Sequence, residues 1–161
     1  MDTPNRGANN PVTWIVAGGL IAGALDITFA CGYWAIARDV PPERILQSVA
    51  AGVLGKASFQ GGWSTGLLGL GLHFFITLMM AAAYGLVARS LPVLWQRPVA
   101  MGALYGLALY AIMHFVVVPL SNVPGGSGPG NNLWTWLGVA AHVLLVGIPI
   151  ALCAREALRP R

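Results

Sequence analysis

Four apolar runs, each long enough to cross a bilayer as a helix, dominate this chain. They fall at about 13–37, 65–88, 99–120 and 133–154, and a bilayer core needs roughly 20 apolar residues in helical form. In hydrocarbon the backbone must satisfy its own hydrogen bonds, so runs of this kind have to be helical. Barrel strands would alternate polar and apolar residues in units of about ten, and these do not. Charge agrees with this reading. Only 9% of the 161 residues are charged, where soluble domains carry about 25%. The expectation is an all-α integral membrane protein, one domain over 1–161, built as a four-transmembrane-helix bundle in the lipid bilayer.

The punctuation between runs fits that reading. Pro11 precedes the first, and Pro92 and Pro98 bracket a short turn between the second and third. The segment 123–132, VPGGSGPGNN, reads as an uncharged flexible turn. The six tryptophans, Trp14, Trp34, Trp63, Trp95, Trp134 and Trp136, all stand at run ends, where an interfacial aromatic belt lies. The first ten residues are polar, and the run after them is too long for the apolar core of a signal peptide. With four spans, Arg6, Arg89, Arg97, Arg155, Arg159 and Arg161 share one side and Arg38, Arg44 and Lys56 the other. The positive-inside rule then puts both termini in the cytoplasm. The net charge of +4 comes from scattered basic residues. They form no basic face of the kind nucleic acid requires, so no nucleic-acid partner is expected.

The segment 38–64 is more than a loop. Pro41 and Pro42 suit a helix start, and Glu43 favours its first turn. Ile45, Leu46, Val49, Val53 and Leu54 recur at helical spacing against Arg44, Gln47, Ser48 and Lys56. This predicts a short amphipathic interfacial helix over about 42–55, lying on the outer membrane surface or capping the bundle. A re-entrant segment is the rival reading. Cys31 and Cys153 fall in different runs, near opposite faces, so no disulfide is expected between them.

Small residues four apart let membrane helices approach closely. Gly19 with Gly23, and Gly102 with Gly106, are two such pairs and the expected helix-packing positions. Leu68-Gly69 precedes His73 as Leu137-Gly138 precedes His142.

Ionisable residues inside a span are costly and usually face the protein interior. The four runs hold one each: Asp26, His73, His114 and His142, the last three being all the histidines of the chain. At about 1.5 Å per residue, all four lie in the half of the bilayer away from the termini. Three readings of this cluster stand side by side. The groups are neutral polar pins between helices, or a proton or cation site with Asp26 as counter-ion to titrating histidines. In the third reading, His73, His114 and His142 hold a transition metal or an axial haem position, although no HxxxH, ExxH or CxxCH motif occurs. No GxSxG or HExxH motif occurs either, and no catalytic residue is expected.

The order LHFFITLMMAAAYGLVARSLP, MGALYGLALYAIMHFVVVPLSNVP, LGVAAHVLLVGIPIAL resembles the YagU-like inner-membrane proteins of bacteria. The resemblance rests on His73, Tyr84, Pro92, Gly102, His114, Pro119, Leu120 and His142, and covers roughly 68–155. It implies an inner-membrane protein associated at most with acid tolerance, and no catalytic residue. Taken together, the expected role is non-enzymatic: proton or small-cation handling, or a pH response, through Asp26, His73, His114 and His142. A metal- or haem-binding redox component is the alternative, and a structural subunit packing a partner helix is another. A bundle this small leaves little room for a solute path, so a transporter of this size is expected to act as a homo-oligomer.

Overall fold

The computed structural model describes residues 10–124 and 132–160. The turn expected over 123–132 and the end residues Arg6 and Arg161 therefore fall wholly or largely outside the described residues. Helix α1 is Pro11–Arg38, α2 Pro42–Leu54 and α3 Gly62–Ser90. The one-turn α4 is Val93–Gln96, followed by α5, Pro98–Leu120, and α6, Leu133–Leu158. A 3-10 turn, Gly55–Gln60, joins α2 to α3. No strand occurs among the described residues. Helices α1, α3, α5 and α6 are each long and apolar enough to cross a membrane.

Helix ends follow local chemistry. Asn10 caps α1 by accepting the Val12 amide at 2.9 Å, and Asn132 caps α6 through the Thr135 amide at 3.0 Å. Asp39 ends α1 in the left-handed conformation, with a φ of 52°.

The interior is rich in small residues and the exterior in large apolar ones. Ala22, Ala81, Ala88, Ala151 and Ala154 are buried, while Leu67, Phe75, Leu86, Leu104, Phe115 and Leu144 face out. A water-soluble bundle would reverse that order. In lipid, helices associate by close backbone approach at small residues. Gly19 and Gly23 on α1 meet Leu78, Thr77 and Phe74 of α3, and Gly18 meets Ile150 and Cys153 of α6. Gly102 and Gly106 on α5 lie against Gly147 and the His142 carbonyl of α6. The seam between α3 and α5 is looser. Tyr105 bridges it by donating to the Met80 carbonyl at 2.8 Å, with the Tyr84 ring 4.9 Å from its own. Both cysteines are free. Cys153 stands beside Gly18, thirteen residues before Cys31 on α1.

Helix α2 presents a different face from the one its apolar spacing predicts. Its buried residues are Leu46, Gln47, Ala50 and Ala51, while Val53 is 57% exposed and Leu54 40%. Close approach decides the rotation: the Leu46 carbonyl rests on Gly69 of α3, where no side chain intervenes. Gln47, expected on the polar face, is instead buried and satisfied. Its amide donates to the Gly62 carbonyl at 2.9 Å and to Glu43 at 3.2 Å. The far end of α2 is tied to the end of α5, where the Asn122 side chain donates to the Val53 carbonyl at 2.9 Å.

Candidate functional site

Each ionisable side chain lies in phase with the small or buried residues of its helix. Asp26 continues Gly18 and Ala22 on α1. His73 follows Gly69 and precedes Thr77 and Ala81 on α3. His114 follows Gly102, Gly106 and Tyr110 on α5, and His142 follows Gly138 and precedes Val146 and Ile150 on α6. Residues four apart share a helix face. The contacts that bring the backbones together therefore turn all four groups inward.

They form two subclusters joined by Asp26. On one side, His73 Nε2–H donates to the Gly23 carbonyl at 3.0 Å and lies 4.0 Å from Asp26 Oδ2. On the other side, the rings of His114 and His142 stand 6.4 Å apart with Tyr110 between them. Tyr110 stacks on His114 at 4.0 Å and meets His142 edge-on at 5.3 Å. His114 and His142 are anchored alike. Nδ1–H of His114 donates to the Tyr110 carbonyl at 3.1 Å, and that of His142 to the Gly138 carbonyl at 3.0 Å. Each bond fixes the tautomer and leaves Nε2 as the acceptor.

Both anchored histidines sit at a widened turn. Residues Met113–Val117 and His142–Gly147 are π-helical. Each π segment ends two residues before a proline, Pro119 or Pro149. A proline ring crowds the carbonyl four residues back and supplies no amide to it. Here those carbonyls belong to Phe115 and Leu145, inside the widened turns, which relieve the crowding.

Three cavities meet at Asp26. A chamber of about 100 Å³ holds His114, His142 and Tyr110, closed by Phe29 and Trp134. A second, of about 250 Å³, contains His73, Thr77, Met113 and Val146, with Ser48, Val49 and Gly52 of α2 as one wall. The third is a groove of about 770 Å³ running past Trp34 and Trp134 to Asp39 and Arg44. Asp26 is 22% exposed, His73 11%, and the Asp26 carboxylate accepts no hydrogen bond among the described residues. The carboxylate is open to the cavities instead.

The His114–His142 pair offers two anchored imidazoles, an arrangement suited to metal ligation. Among the described residues, no three His, Cys, Asp or Glu side chains are grouped to hold one ion. Tyr110, Trp134 and Ser48 line the site as well, without the charge that marks Asp26 and the histidines in the sequence. Tyr110 was within reach of a sequence signal, since it stands four residues from both Gly106 and His114. Comparison with protein-family models, with curated proteins and with solved structures found no match.

Proposed function

We propose that this chain is a polytopic inner-membrane protein that handles protons or small cations, or responds to pH, through an intramembrane centre of Asp26, His73, His114 and His142. The four helices serve as spans, with both termini cytoplasmic and α2 against the outer interface. The observation that carries the reading is the placement of Asp26. One carboxylate, without a hydrogen-bond donor among the described residues, stands where cavities lined by His73 and by the His114–His142 pair converge. Burial in apolar surroundings makes an ionised carboxylate costly without a partner, and histidines change charge near physiological pH. Asp26, His73, His114 and His142 all border the cavities that a proton arriving at this centre would enter. The resemblance to YagU-like proteins points the same way.

The test is proton uptake into liposomes holding the protein, after an acid step outside, followed with a trapped pH dye. Asp26→Asn and His114→Ala are expected to slow initial uptake about tenfold or more, equivalent to roughly 1.4 kcal/mol at the barrier. Gly32→Ala, where a Cβ meets nothing within 4 Å, is expected to leave it unchanged. Equal rates in wild type and Asp26→Asn would sink the proposal.

A further inference from the structure

The groove that ends at Asp26 has the size and lining of a ligand site. Its volume of about 770 Å³ falls in the range of small-molecule pockets, about 300–1,000 Å³. Trp34 and Trp134 line it, with their ring centroids 5.1 Å apart. Trp134 stacks on Tyr33 at 4.7 Å and on Phe29 at 6.2 Å. Phe59 lines the α2 side.

The charges favour one class of occupant. Around Asp26 stand His73 of α3, His114 of α5 and His142 of α6, with Arg44 of α2 and Asp39 farther along the groove. Arg44 is committed elsewhere. Its guanidinium donates to the Phe59 carbonyl at 3.0 Å and to Gln47 at 3.4 Å, and lies 5.6 Å from the centre of the Phe59 ring. Among the described residues no fixed cation pairs with Asp26, and the ion-pair contact it has there is with His73 at 4.0 Å. A lone carboxylate at the floor of an aromatic groove attracts positive charge, as do the faces of tryptophan rings. A bare metal ion would give up hydration there, and among the described residues no three His, Cys, Asp or Glu side chains are grouped to replace it. An organic cation gives up little hydration and covers the apolar walls with its own apolar groups.

We propose that this groove binds a lipophilic organic cation, its charge beside Asp26 and its apolar substituents against Trp34 and Trp134. The inference rests on Asp26 being the ionisable centre described under the proposed function. Proton and cation then compete for one carboxylate, so binding weakens as pH falls.

Tetraphenylphosphonium is a suitable probe, titrated into the full chain in an uncharged maltoside detergent and followed by calorimetry and tryptophan fluorescence. The expected result is saturable binding at one per chain that weakens on acidification. Asp26→Asn and Trp134→Ala should each weaken it about tenfold, while Asp26→Glu should retain it and so guard against a misfolded Asn variant. Neutral triphenylphosphine oxide should not compete. The inference is overturned if wild type shows no saturable binding, if Asp26→Asn and Trp134→Ala bind as wild type does, or if the neutral compound competes equally. Absent phosphonium binding alongside Asp26-dependent proton uptake overturns this inference alone. Absence of both overturns the proton reading as well.

Discussion

Gly106→Val is expected to destabilise the bundle by about 3 kcal/mol or more, because it forces backbone against backbone. A Cβ at Gly106 would stand 2.7 Å from the Val143 Cα, and closer still to the His142 carbonyl oxygen. Neither atom belongs to a flexible side chain that could swing away, so α5 and α6 must separate. That separation also shifts His142 relative to Tyr110 and His114, one and two turns along from Gly106 on α5. The polar centre and the fold therefore fail together. Gly32 is the control, since a Cβ there meets nothing within 4 Å. Gly32→Ala should be neutral or stabilise by about 0.5–1 kcal/mol, the ordinary gain of alanine over glycine inside a helix. Thermal unfolding in detergent separates the cases. Equal midpoints for Gly106→Val and wild type would show that the α5–α6 contact is not as close as described.

Gly69→Val should release α2 from α3. The Leu46 carbonyl lies where the new Cβ would be, and the Ala50 amide nitrogen only 3.1 Å from it. Displaced, α2 loses the Gln47 bond to the Gly62 carbonyl and strands that polar amide. An unsatisfied buried group adds about 1–3 kcal/mol to the steric cost. Since Ser48, Val49 and Gly52 wall the cavity beside His73, the chamber opens at the same time. The expected readout is faster amide exchange along 43–54, by about a hundredfold for roughly 2.7 kcal/mol of local destabilisation. Gly71→Val, facing open space, should leave exchange in α2 as in wild type. Unchanged exchange in Gly69→Val would mean α2 is held by something other than its seat on α3.

Much of this arrangement was legible in the sequence. The four long helices follow from apolar length alone, and their observed bounds extend the expected ones by a few residues at most. Rotation was left open by the sequence reading, and only the structure shows that a pattern wider than the glycine pairs accompanies it. Gly18-Ala22-Asp26, Gly69-His73-Thr77-Ala81, Gly102-Gly106-Tyr110-His114 and Gly138-His142-Val146-Ile150 each keep four-residue spacing. The α2 face was not legible from hydropathy. When the outside is apolar as well, large residues such as Val53 carry no directional information, and burial goes to whichever residues permit close approach. Ala50, Ala51 and a satisfied Gln47 win that competition over Val53 and Leu54. The π turns were hinted at by Pro119 and Pro149. Their consequence for His114 and His142 depends on backbone geometry that periodicity alone does not carry.

The central claim is that Asp26 belongs at once to His73 and to the His114–His142 pair. It is tested most directly by magnetic resonance of nitrogen-labelled histidine, because the chain has only three histidines and each gives its own ring signals. In Asp26→Asn, with the fold retained, the ring signals of all three are predicted to move, as is their response to pH. Movement of His73 alone, with His114 and His142 unchanged, would contradict the account by separating the carboxylate from the pair.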